Sequence, residues 1–240
     1  MTTIVKLLIA AALSLFLSSC QFNIAGVSGN GNVQTEKRTS VADGFTSVKA
    51  SHGLDVYIRQ ENTFEVTVEA DENLLELIRT EVEGNELHIY AKKSIGNAKA
   101  KKIYVSAPKI EGITSSSGAD IIVENLLKSD KLELKSSSGS DIVVETHADY
   151  VSCDSSSGSD IRIKGEANTL DAEASSGSAV RARDLKVAKC KARASSGGDV
   201  YIHVTEDLVA DASSGGNVRY SGNPKSVSSG KSVSGNVSKD

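Results

Sequence analysis

The sequence predicts an all-β, single-domain protein, a parallel β-helix of stacked coils, and three observations carry that expectation. The segment SSSGADIIV from Ser115 returns as SSSGSDIVV from Ser136 and as SSSGSDIRI from Ser155. Aligned on its glycine, the motif recurs at Gly118, Gly139, Gly158, Gly177, Gly197 and Gly215, spaced 21, 19, 19, 20 and 18 residues apart, a period at which one repeat forms one coil of a solenoid. The 240-residue chain is 39% hydrophobic but has no Trp, 4 Phe, 6 Tyr and 2 Pro beside 20 Gly, so its core must be stacked from small aliphatic side chains. A formal net charge of −4, with both signs interspersed, offers no basic stripe for a nucleic-acid groove.

At the N-terminus, MTTIVKLLIAAALSLFLSSC places Lys6 before an apolar run from Leu7 to Leu17 and small residues before Cys20. This order resembles a bacterial lipoprotein signal, which implies that residues 1–19 are removed and that Cys20 carries acyl chains, palmitate among them. More than one chain makes such an anchor stable. The other reading, a secretory or short membrane segment with an incidental Cys, stays open. Residues 21–40, polar and rich in Gly and Asn, read as a flexible tether that follows the lipidated Cys. The expected location is the cell envelope, with Gln21 after the Cys pointing to the outer membrane, and the membrane is the first partner.

Residues 41–240 form the β-helix domain, with the regular repeats over 110–220. Three residues after each motif glycine stand Ile121, Ile142, Ile161, Val180, Val200 and Val218, and five after stand Val123, Val144, Ile163, Ala182, Ile202 and Tyr220. Between them the chain changes from Ile122 and Val143 to Arg162, Arg181, Tyr201 and Arg219, the alternation of a strand with its β-branched positions inward. Before the glycine a second strand repeats its own apolar columns, for example Leu132, Val151, Leu170, Cys190 and Leu208. Each repeat is therefore strand, Ser-Ser-Gly turn, strand, and parallel stacking explains the fixed columns better than a meander of antiparallel hairpins. Gly takes the turn because positive φ costs it least, and the Ser pair supplies small side chains that bond to local backbone. Cys153 and Cys190 fall in different inward columns two coils apart, roughly 9.6 Å against the about 7 Å a disulfide spans. Two buried thiols follow.

An earlier copy, KASHGLDVYI around Gly53, precedes a segment, 59–109, that drops the motif. It is expected to form irregular coils or hairpins covering the N-terminal end of the stack. Within it, DENLLELI predicts a short helix with Asp71 as its N-cap. The tail from Ser221 echoes the motif in degraded form.

GNVQTEKRTSVADGFTSVKASHGLDVYIRQ, then VEADENLLELIRTEVEGNELHIY, then serial SSG-D-I/V coils resemble the bacterial lipoprotein domain called the head GIN domain, an auto-transporter adhesin family of unknown function. The resemblance spans the chain from about Gly29 to the tail. It implies a β-helix similar to the right-handed, pectin-lyase-like architecture, without recognised catalytic residues and with a role in adhesion.

The Asp two residues after the glycine recurs as Asp55, Asp120, Asp141, Asp160 and Asp199. Calcium-binding repeats place Gly-x-Asp in a nonapeptide, about half the period here, so no cofactor is expected. A calcium site at Asp120, Asp141, Asp160 and Asp199 remains the other reading. Parity puts Asp160 beside Arg162, with Arg181 and Arg219 continuing the column, so a solvated Asp/Arg ladder needs no metal. Asp141, Asp160, Arg162 and Arg181 also carry the residue types of a polysaccharide lyase, yet they recur as repeat columns, and a non-enzyme is expected. His52, His88, His147 and His203 show no zinc spacing, and the Ser runs lack a nucleophile elbow. The partner is expected to be a glycan or protein of the envelope or its surroundings, with self-association into a homo-oligomer as the alternative. Glycan stacking would require Tyr57, Tyr90, Tyr104 and Tyr201 to gather on one face.

Overall fold

The computed structural model describes residues 26–39, 43–230 and 234–240, so Cys20 and the signal expected over residues 1–19 lie outside the described residues. Strands make up 65% of it and curl into a β-solenoid of about seven turns. The N-terminal strands are β1 (Val33–Lys37), β2 (Ser47–Ala50), β3 (Asp55–Gln60), β4 (Glu65–Asp71), β5 (Ile78–Glu83), β6 (Glu86–Ala91) and β7 (Lys101–Ala107). The repeats supply β8 (Gly112–Ser115), β9 (Asp120–Val123), β10 (Leu127–Ser137), β11 (Asp141–Ser156), β12 (Asp160–Ala174), β13 (Ala179–Ala194) and β14 (Asp199–Ala212). The stack finishes with β15 (Asn217–Ser221), β16 (Ser226–Ser229) and β17 (Asn236–Lys239).

From β8 onward every pairing is parallel, which rules out the antiparallel meander, and like positions lie on like: Ile121 on Ile142 on Ile161 on Val180 on Val200. These five side chains are fully buried, and burying each contributes about 1.5–3 kcal/mol. Strand alternation thus becomes one continuous hydrophobic column. The degraded tail continues the same register, with Val227 on Leu208 and Val237 on Val218. Cys153 and Cys190 are buried and unbridged. Removal from water raises both thiols, Cys190 up to about 12.

Ahead of the repeats the pairing is partly antiparallel, β4 on β7, β1 on β4 and β5 on β6. Two expectations need correction here. The helix over DENLLELI is one 3-10 turn, Glu72–Leu74, and Asp71 makes no side-chain cap to it. Asp71 is instead fully buried and accepts N–H bonds from Gly31 (2.5 Å), Lys99 (2.8 Å) and Ala100 (3.0 Å). Those amides hold its carboxyl below the usual carboxylate range, Ala100 contributing most. The expected tether also gives way where it is described. Val27 bonds Ser94, Gly29 bonds Asn97, and Val33–Lys37 pairs with β4. The backbone supplies this order, since four of the five β1 side chains are exposed.

Candidate functional site

The turn corner is the first feature that the repeat builds. Ser117 and Gly118 have φ of 52° and 72°, and the pair recurs with positive φ at Ser138/Gly139, Ser157/Gly158, Ser176/Gly177, Ser196/Gly197 and Ser214/Gly215, with His52/Gly53 in the earliest copy. Two successive left-handed residues closed by a bond such as Ala119 N–H to Ser116 O (3.2 Å) match a type I′ turn. Each turn glycine then donates to the turn serine of the next coil, Gly118 to Ser138 and Gly139 to Ser157, both at 3.1 Å. The buried serines are committed as well, Ser136 Oγ donating to Ser140 O at 2.8 Å and Ser155 Oγ to Ser159 O at 3.1 Å. These hydroxyls hold the corner together.

The arm after each turn sets an outward face. Its Asp column runs in register through Asp55, Asp120, Asp141 and Asp160, is interrupted by Ala179, and resumes at Asp199. Arg162 donates to Asp141 and to Asp160 at 3.1 Å each, and Arg181 donates to Asp160 at 2.8 Å. Asp199 accepts from Asn217 at 2.8 Å. Asp120 has only other carboxylates in register above and below, and burial first, then Asp141 and Asp55, raises its pKa. Among the described residues, no three or more His, Cys, Asp or Glu side chains gather into a metal-holding group.

The neighbouring outward column reads Tyr104, Tyr57, Ile122, Val143, Arg162, Arg181, Tyr201 and Arg219. Three of the four tyrosines in question therefore share a face, while Tyr90 lies on β6 and bonds Glu81 at 3.0 Å. Two of the rings stand against each other and the third is met by arginines. Tyr57 and Tyr104 stack at 5.3 Å and 21°, and the guanidiniums of Arg181, Arg183 and Arg219 lie 5.3, 4.8 and 5.8 Å from the Tyr201 ring centre. Such packing presents ring edges, so the column is a ladder of stacked side chains and offers no flat platform for a sugar.

Further along the coil, a furrow of about 190 Å³ crosses β11 to β14. Its floor is the buried pair Ala148 and Ala167, in register nine residues after Gly139 and Gly158. His147, Glu166 and Lys186 rise on one side, Asp149 and Asn168 on the other, with Asn168 donating to Asp149 at 2.7 Å. Sequence reasoning stopped at the motif and missed this furrow, although the recurring alanine was there to be read.

Coils, turns and outward ladders define a parallel β-solenoid that displays ordered side-chain rows. The chain belongs to the family described as "Putative auto-transporter adhesin, head GIN domain", whose model matches residues 44–224. It is similar to the solved structure of a "putative adhesin" from Bacteroides fragilis NCTC 9343, at 22% identity over 90% of this chain and 100% of that one, with a TM-score of 0.82. A "putative adhesin" from Parabacteroides merdae ATCC 43184 matches at 24% identity over 89% and 98%, TM-score 0.70. A "putative lipid binding protein" from Parabacteroides distasonis ATCC 8503 matches at 20% identity over 89% and 99%, TM-score 0.71. These likenesses establish the shared fold. No curated protein matches the chain.

Proposed function

We propose that this chain is a non-catalytic adhesin of the bacterial envelope, held on the outer membrane through acyl chains on Cys20, and that it binds an extracellular glycan along its furrow. The observation that carries this reading is the furrow itself, an alanine-floored channel whose donors and acceptors change from coil to coil. Rows of mixed donors and acceptors suit a chain of hydroxyl groups, because each can give or accept a hydrogen bond. Membership of an adhesin family and likeness to structures named as adhesins support binding as the role. Against catalysis, Asp160 is clamped by two guanidiniums, so its carboxylate is committed to ion pairs within the ladder. The same clamp favours the ladder over a calcium site.

A glycan array probed with the full chain tests the reading, alongside His147→Ala and Lys186→Ala. Binding that falls at least tenfold in both variants supports it. Binding unchanged in both, or capture of a protein in place of a glycan, overturns the furrow assignment. Cys20→Ala should release the protein from membranes, and retention would refute the anchor. Calorimetric titration with calcium should be flat.

A further inference from the structure

The furrow does not end at β11. A second cavity of about 390 Å³ carries it onto β10, where Lys128, Ser129 and Asp130 line it, and the two cavities share His147, Ala148 and Asp149. Together they form one channel across β10 to β14, roughly 19 Å from the first coil to the last at about 4.8 Å per coil. Its parts repeat in register. Ser129, Ala148 and Ala167 stand one above another as the floor, and Lys128, His147, Glu166 and Lys186 do the same along one wall. The charges that face the channel balance, Lys128 and Lys186 on one wall against Asp130 and Asp149 on the other. His147 Nδ1 lies 3.9 Å from the Glu166 carboxylate, and Lys109, at the β10 end, is held by Glu111 at 2.6 Å.

We infer, on the basis of the glycan reading proposed above, that the channel takes the interior of a neutral, unbranched, extended polysaccharide, laid along the solenoid axis with one sugar unit on each coil. A pyranose unit with its linkage advances about as far as one coil, so successive units meet equivalent positions. The small floor residues let a ring face lie flat while the hydroxyls on its rim reach both walls, where each can give or accept a hydrogen bond. A branch at such a hydroxyl would run into a wall. A charge on every unit would set like against like within the row, at Glu166 for an anion and at Lys128 and Lys186 for a cation. Because the partners are spread over the coils from β10 to β14, a short oligomer meets only some of them.

Calorimetric titration of the full chain with oligomers of two to seven units tests this. The neutral series are β-1,4-linked glucose, mannose and N-acetylglucosamine, and the acidic series is α-1,4-linked galacturonate. In at least one neutral series affinity should rise about fivefold with each unit, the factor that one net hydrogen bond supplies, and should stop rising at about five units, one for each coil of the channel. Lys128→Ala removes the partner of the outermost unit, so the rise should stop one unit earlier. A merely structural role for Lys128 would lower affinity at every length and leave the stopping point unmoved, which would overturn the inference. Full affinity at two units would also overturn it, as would binding confined to galacturonate or, on the array, to branched or terminal sugars, and each of these outcomes leaves the glycan reading standing. Absence of binding to any carbohydrate, in titration and on the array, would overturn both.

Discussion

Two glycines with positive φ separate conformational strain from collision. Gly139 has φ 69° and a methyl added there meets nothing within 4 Å, whereas at Gly165, φ 113°, it would lie 2.0 Å from the Thr146 carbonyl oxygen of the coil below. Gly139→Ala should therefore cost only the left-handed penalty, about 1–2 kcal/mol. Gly165→Ala should cost clearly more, because backbone has to move, and urea denaturation ranks the two. Two carboxylates respond to pH in opposite senses. Asp71 is held below the usual range by backbone amides, so its contribution is complete above about pH 3.9 and is lost as pH falls through the lower folded value. Asp71→Asn should lower the neutral-pH unfolding midpoint and flatten the acid limb. Asp120 is raised by burial and by Asp141 and Asp55, so ionising it weakens the fold as pH rises through the raised value. Asp120→Asn should raise the midpoint at pH 7, with the gain vanishing in acid, and no gain at pH 7 would contradict the carboxylate stack.

At the level of elements, the sequence declares what repeats and hides what is paired at a distance. The columns from Ile121 to Val218 were legible because strand alternation is local and each coil restates it. The Asp160 to Arg162 contact was legible for the same reason, as residues two apart share a face. Strand β1 was not, since VQTEK shows no buried apolar alternation and is ordered by hydrogen bonds to a strand that begins 32 positions after it. Asp71 was misread as a cap because capping logic looks to the next turn, while its donors lie 28 to 40 residues away in sequence. The furrow lay between motif copies and so outside the aligned columns. Removing residues 26–37 should make these distant bonds visible. It takes away the Gly31 donor and bares the edge of β4, and an open edge invites pairing between chains. Light scattering on warming should show aggregation at lower temperature than in the intact chain, and unchanged scattering would mean that β1 is dispensable.

For the whole molecule, stacking in one dimension means that a coil is stabilised by its two neighbours and hardly by anything beyond them. Ile161 is fully buried between Ile142 and Val180, and Ile161→Ala should cost about 2–5 kcal/mol. In a domain with one shared core that loss would speed global unfolding and raise hydrogen exchange everywhere. In this solenoid the amides of β11 to β13 should lose protection first and most. Those of β1 and β4, held by antiparallel pairing and by Asp71, should keep theirs. Uniform acceleration would show that the coils fold as one unit and that the nearest-neighbour picture fails. Local loss would have a consequence for binding, because the furrow crosses β11 to β14, the coils that pack on Ile161. A lesion at Ile161 should then weaken glycan binding at temperatures where the N-terminal coils remain intact. Measuring exchange and binding on one Ile161→Ala sample relates the two directly.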